Sequence, residues 1–346
     1  MQRNVRIRLL AGLGLAAFLA VSPSMAHATI AHRIVRRSSA SGAQVASHPT
    51  SIPPVSSESP LAPPTTLSTD PVTTELDLIA AAEPVPPGIG DAMRPASTRT
   101  VHVVSGNVDR TAIVHVPPSK EGTLLPLVIA LHGSSGSADE FETTTGLDQT
   151  ADTDGFIVVY PNGELLPDDT TMTRSWNSGG CCTPATTFDV NDVSFLNDLL
   201  DVLPSLAPFN SERVIIAGHS NGAIMAQRFA CEATDRIYAV VSISGALDSD
   251  LPCSPTRPVS MMEVHGTNDT NIDYANAVDD TSFWAKADHC NTTVTTTIAA
   301  ITKQAWTSCS NGTSVTFITL DGGPHAWPNR PDLSASDLIG QLLTSQ

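Results

Sequence analysis

The stretch VIIAGHSNGAIMAQRFACE, residues 214–232, constrains this chain more than any other. An apolar run, Val214-Ile215-Ile216-Ala217, stops at Gly218-His219-Ser220-Asn221-Gly222, and helical spacing (Ile224, Met225, Arg228, Phe229) begins at once. A buried strand that turns directly into a helix must bend sharply. Side chains two residues before and two after the bend would collide with neighbouring elements, so glycine is required at both places. A serine at the apex is then pushed out of the sheet, with the positive end of the helix beside it. The spacing predicts Ser220 as a nucleophile rather than a simple helix cap.

A serine hydroxyl attacks only if a base removes its proton, and on this kind of turn the partners follow in the order serine, acid, histidine. MMEVHGTNDTNIDY (261–274) ends an apolar strand in a polar loop, and Asp269 is the expected acid, with Asp273 and Asp321 as alternatives. FITLDGGPHAWPNR (317–330) does the same with His325, the expected base, in a Gly/Pro loop. His265, inside the strand end, reads as packing or loop support, and His219 points sideways from the turn. Attack on an ester creates an oxyanion, which needs fixed N–H donors. The turn after ALHG (130–133) supplies one at Ser134, and the backbone N–H of Asn221 supplies the other.

Runs such as PLVIALHG, FIVVYPNG, RVIIAGHS, YAVVSISGA and PVSMMEVHG alternate with helical segments such as DVSFLNDLLDVLPSL (192–206). Near-continuous apolar strands separated by helices imply a mainly parallel central sheet covered on both faces. Chemistry in such sheets gathers at the carboxyl ends of the strands, where these polar loops fall. Asp192 is expected to cap its helix, and Trp284 and Trp306 to pack in the interior.

Outside residues 100–346 the character changes. Residues 1–28 read as a secretory signal: Arg3, Arg6 and Arg8, a short apolar stretch from Leu9 to Val21, then Ala26-His27-Ala28 as a cleavage site. The stretch is too short for comfortable bilayer spanning, so no stable membrane anchor is expected, and the product is secreted to the periplasm or beyond. Residues 29–99 are rich in Pro, Ser, Thr and Ala without aromatic content, a composition that does not offset ordering entropy. From residue 100 onward ten Lys and Arg face 29 Asp and Glu, a net charge of −19. That surface argues against nucleic acid, anionic lipid or polyanionic glycan as partners. The expected partner is an ester substrate, and the expected state a monomer.

Six cysteines in an exported unit suggest up to three disulfides. Cys290 and Cys309 flank a Thr-rich hairpin pattern and make plausible partners. Cys181 and Cys182 are then expected to share Cys231 and Cys253. No C-x-x-C or H-x-x-x-H pairing supports a metal, and no cofactor is expected.

Taken in order, PLVIALHGSSGS, GFIVVYPNG, SWNSGGCC, NDVSFLNDLLD, AGHSNGAIMAQRFACE, RPVSMMEVHGTND and GGPHAWP resemble the secreted esterases that include extracellular polyhydroxybutyrate depolymerases, feruloyl esterases and acetylxylan esterases. The resemblance spans most of 100–330. It implies an α/β-hydrolase fold without an extra catalytic domain, a Ser220–Asp269–His325 triad and a Cys290–Cys309 bridge. It further implies that Trp176 and Trp327 lie near the cleft and bind substrate. Ala223 after the serine turn, and Ser134 after ALHG, depart from the residues common in that family. No polyester-adsorbing module is recognisable, which points to soluble or oligomeric esters.

Overall fold

The computed structural model describes residues 93–166, 173–249 and 251–344. The leader expected over 1–28, and all of the 29–99 segment up to residue 92, lie outside the described residues. The first long strand starts at Ser97, ahead of the expected boundary at residue 100.

Among the described residues the largest sheet has ten strands: β1 (Ser97–Ser105), β2 (Val108–Val116), β3 (Leu125–Leu131), β4 (Ile157–Pro161), β5 (Phe209–His219), β6 (Ala239–Ile243), β7 (Ser260–Gly266), β8 (Thr292–Ile298), β9 (Ile301–Thr307) and β10 (Val315–Leu320). Their order across the sheet is β8-β9-β10-β7-β6-β5-β3-β4-β2-β1. The run from β10 to β4 is parallel throughout, and antiparallel pairs close both edges.

Every residue of β6 and β7 is buried, as expected of strands covered on both faces. Alternate residues serve opposite layers. Ile129, Ile216 and Val240 pack against α3 (Asp192–Leu206), α4 (Asn221–Glu232) and α5 (Tyr274–Ala287), around Phe195, Phe229 and Trp284. Val128, Ile215 and Val241 pack against α1 (Ala138–Thr145), α2 (Leu147–Asp154) and α6 (Ala335–Thr344), around Phe141, Leu147 and Ile339. Each such side chain contributes about 1.5–3 kcal/mol by leaving water. Two dry layers therefore hold the central strand β5 and fix where its end can point.

Two expectations need correction. Asn191, not Asp192, caps α3, accepting from the Ser194 N–H at 3.0 Å. Asp192 turns inward, accepting from Arg110 at 2.8 Å and from the Asn177 N–H at 2.7 Å. With the cap position taken by the residue before it, this carboxylate becomes a buried brace between β2 and the loop ahead of the helix. The second correction concerns the disulfides. Cys181 and Cys182 pair with each other, and Cys231 pairs with Cys253, instead of crossing between the two sets. Cys231 lies in the last turn of α4 and its Cα is 4.9 Å from that of Cys253, in the loop before β7, a spacing that suits a bridge. Cys290–Cys309 forms as expected, tying the end of α5 to the hairpin β8–β9. Trp284 is fully buried, and Trp306 packs partly buried against the same layer.

Candidate active site

Ser220 has φ 56° and ψ −123°, a left-handed conformation that strains any residue with a side chain. The surrounding geometry allows no relaxation. A Cβ on Gly218 would stand 2.2 Å from the Gly222 carbonyl oxygen, and one on Gly222 would stand 2.2 Å from the Leu131 oxygen. Only glycine fits at either place, which answers why the strand breaks as it does. The Ser220 N–H donates to Ile243 at 3.0 Å, and its carbonyl accepts from Ala223 and Ile224 at 2.9 and 3.1 Å. Asn221 opens α4, so no carbonyl one turn back is available to its N–H.

The loops after β7 and β10 meet at a close backbone crossing, where a Cβ on Gly266 would fall 2.0 Å from the Gly323 oxygen. This crossing brings together residues 56 positions apart: the Nδ1–H of His325 donates to Asp269 Oδ2 at 2.7 Å. The other carboxylate oxygen accepts from the N–H groups of Asn271 and Ile272 at 2.9 and 3.0 Å. Burial works against charge on Asp269, but the Ile272 and Asn271 amides and His325 outweigh it and hold the carboxyl below its ordinary value. The alternative acids are engaged elsewhere. Asp273 caps α5 through the Ala275 N–H, and Asp321 accepts from the Thr267 hydroxyl.

His219, next to Ser220, lays its ring 4.9 Å from that of His325. Burial, then the neighbouring His325, pushes its pKa down to about 4, so it stands beside His325 as a neutral ring. His265 is fully enclosed between Glu263 and the loop that carries Asp269. That agrees with its reading as loop support.

The turn over residues 132–137 lies against the serine, since a Cβ on Gly133 would be 3.4 Å from Ser220 Cβ. His132 anchors it. Nε2 accepts from the Gly163 N–H at 3.0 Å, which leaves the proton on Nδ1 to donate to the Gly133 carbonyl at 2.7 Å. Burial pushes this ring down to about 4, keeping it neutral and the tautomer fixed. Ser134 sits exposed at the mouth of the turn.

The two tryptophans part company. Trp176 is fully buried: its indole N–H donates to the His132 carbonyl at 2.9 Å, and its backbone exchanges bonds of 2.7 and 3.0 Å with the Asn221 side chain. No face of it is open to a substrate, so the expected binding role is corrected to that of a tie between the 132–137 turn and the start of α4. Trp327 meets Phe141 edge to face at 5.2 Å and lines a cleft of about 400 Å³ with Gly133, Ser134, His219 and Ala326.

The Asn221 side chain, with its third bond to Ser178 at 2.8 Å, was invisible in the sequence because its partners lie more than 40 residues away. The same holds for a buried chain running from the Trp284 indole through Gln227 to Ser242 and Asp280.

The Esterase family model ("Putative esterase") matches residues 104–325. This chain belongs to the esterase family. Feruloyl esterase B of Piromyces equi is 27% identical to this chain over 237 residues, 63% of the chain and 42% of the relative. The bifunctional acetylxylan esterase/xylanase of Neocallimastix patriciarum is 24% identical over 64% of the chain and 31% of its own length. The chain thus spans less than half the length of either relative. Among solved structures, an acetyl xylan esterase from Aspergillus awamori superposes with a TM-score of 0.54 at 17% identity, covering 70% of this chain and 99% of that one. A ferulic acid esterase from Anaeromyces mucronatus gives 0.50 at 15% identity, covering 73% and 91%. The chain has the α/β-hydrolase fold that the resemblance implied, and the mainly parallel, doubly covered sheet that its strand and helix pattern led one to expect.

Proposed function

We propose that the protein is a secreted serine esterase that hydrolyses carboxylic esters through an acyl-enzyme. Ser220 Oγ attacks the ester carbonyl carbon while His325 Nε2 takes the hydroxyl proton. Asp269 holds the ring with Nε2 facing the serine and stabilises the imidazolium. The tetrahedral oxyanion is met by the N–H groups of Ser134 and Asn221 at the positive end of α4. Collapse expels the alcohol, which leaves with the proton from His325. Water, deprotonated by the same imidazole, then attacks the acyl carbonyl and releases the acid and Ser220.

The observation that carries this reading is the 2.7 Å bond between His325 and Asp269 beside the strained Ser220 bend. The apolar wall of Phe141 and Trp327 suits an aromatic or extended acyl group. That favours feruloyl esters, the acyl group named for the Piromyces and Anaeromyces relatives, over acetyl esters, whose small acyl group would leave the wall uncovered, and the acidic surface disfavours polyanionic carriers. Hydroxybutyrate oligoesters are the alternative substrate. Three disulfides among the described residues and the signal-like start of the sequence support export.

The test is Ser220→Ala against wild type, by fluorophosphonate labelling and p-nitrophenyl acetate hydrolysis. Both should vanish in the variant, and an unchanged rate would refute the mechanism. A panel of feruloyl-arabinose, acetylated xylan and hydroxybutyrate oligomers then ranks the acyl groups. Turnover of anilides or transfer to added alcohol in place of hydrolysis would redirect the reading to a peptidase or acyltransferase.

A further inference from the structure

Behind Asp269 lies a second acid–imidazole pair that hydrolysis does not consume. Glu263 and His265 share one face of β7, between β10 and β6 in the parallel part of the sheet, and neither side chain has any exposure. His265 Nδ1 is 3.1 Å from Glu263 Oε1, and its Nε2 is 3.1 Å from the Ile272 carbonyl oxygen and 3.4 Å from Asp269 Oδ2. A carbonyl can only accept, so Nε2 must carry a proton. The Nδ1–Oε1 contact holds one more, on one side or the other, and the pair as a whole is neutral.

Such a pair is poorly explained as a source of stability. Two apolar residues of similar size commonly pack in place of a buried ion pair without loss. The placement suggests another purpose. The Ile272 carbonyl held by His265 belongs to the residue whose N–H holds Asp269 Oδ1. The same imidazole edge also faces Asp269 Oδ2, the oxygen that receives His325. The loop 269–272 is therefore gripped from inside the sheet at both of the places that aim its carboxylate.

We infer that His265 is a positioning residue: aligned by Glu263, its Nε2–H fixes the Ile272 carbonyl and the Asp269 carboxylate so that Oδ2 stays in line with His325. This rests on the triad proposed above, and it adds a fourth and fifth residue that touch no substrate. Burial pushes the Glu263 carboxyl up to about 7 in spite of its bond to His265, consistent with a group kept inside for its geometry at a cost to its ionisation.

The two ring nitrogens can be replaced one at a time. A glutamine at 265 puts an amide nitrogen close to the place of Nε2, whereas an asparagine reaches only the place of Nδ1. In the full chain, with p-nitrophenyl acetate at pH 7, His265→Asn should lose on the order of 10- to 100-fold in kcat with KM changed less than about threefold, the penalty of a misaligned catalytic group. His265→Gln should keep kcat within about threefold. Calorimetry on both shows whether each is folded, and Glu263→Gln, whose amide can still bond Nδ1, serves as a near-isosteric third variant expected to resemble His265→Gln. Equal rates in the asparagine and glutamine variants, or an unaltered rate in the asparagine variant, overturn the inference. So does loss of kcat in Glu263→Gln equal to that of His265→Asn. These results are separable from failure of the triad itself, which Ser220→Ala decides for the nucleophile and Asp269→Asn for the acid.

Discussion

Gly222→Ala adds a single methyl group, and the structure says where it must go. Its Cβ would lie 2.2 Å from the Leu131 oxygen and 2.4 Å from the His132 oxygen, whereas real Cβ contacts essentially never fall below 3.0 Å. One backbone or the other must retreat by at least 0.8 Å. Neither is free to do so, because Leu131 ends β3 and His132 is tied through its carbonyl to Trp176 and through its ring to Gly133 and Gly163. Overpacking of this kind costs about 1–3 kcal/mol, which in a domain of this size lowers the melting temperature by roughly 2–12 °C. The displaced segment carries the proposed oxyanion donor, and misplacing such a group by about 1 Å costs about 100-fold in rate. Both should be measured on one preparation, by differential scanning calorimetry and by kcat/KM for p-nitrophenyl acetate. Gly155→Ala is the control: its φ of +77° strains a side chain but nothing lies within 4 Å. It should lose about 1–2 kcal/mol and no activity. A Gly222→Ala protein melting within 1 °C of wild type and retaining half its activity would refute the packing argument.

Asp269→Asn should lower kcat about 10⁴-fold with KM little changed, since the amide favours the wrong tautomer of His325, as measured by steady-state kinetics. His132 stays neutral in the fold with its pKa pushed down to about 4 by burial, while the unfolded chain takes up a proton near 6.5. Its contribution, about 3 kcal/mol, is therefore fully present above pH 6.5 and is lost as the pH falls from there through 4. His132→Gln should show a shallower drop in melting temperature between pH 7 and pH 4.5 than wild type. Non-reducing peptide mapping should find Cys181 and Cys182 joined within one peptide and Cys231 linked to Cys253. Replacing both Cys231 and Cys253 with alanine should cost about 3 kcal/mol, read by denaturant titration.

What the sequence made legible was whatever depends on local pattern. The strand-bend-helix at Ser220 follows from two glycines and the apolar runs on either side. Asp269 and His325, which the fold brings within 2.7 Å of each other, could be singled out because each follows an apolar run in a polar loop. The strands read as strands because those buried on both faces need apolar residues at every position. What stayed hidden depends on contacts between distant positions. Trp176 and Trp327 both stand beside loop residues, yet Asn221 encloses the first while a cleft opens before the second. Asp192 has the sequence context of a helix cap, but Asn191 stands one position nearer the start and takes that place. Adjacent cysteines look like two half-bridges until the chain brings Cys231 beside Cys253. Glu263 and His265 alternate like ordinary inward residues of a strand, and only the folded loop above them gives the pair a purpose.

The bend at residue 220 is specified by the main chain and its neighbours, not by bonds from the hydroxyl group. Whatever atom is mounted there inherits the same aim. A cysteine at 220 would present its sulfur, and an aspartate its carboxylate, along the same line. The scaffold is in that sense a mount for interchangeable reactive groups, and swapping that one residue is a direct route to asking which chemistries the surrounding cleft can serve.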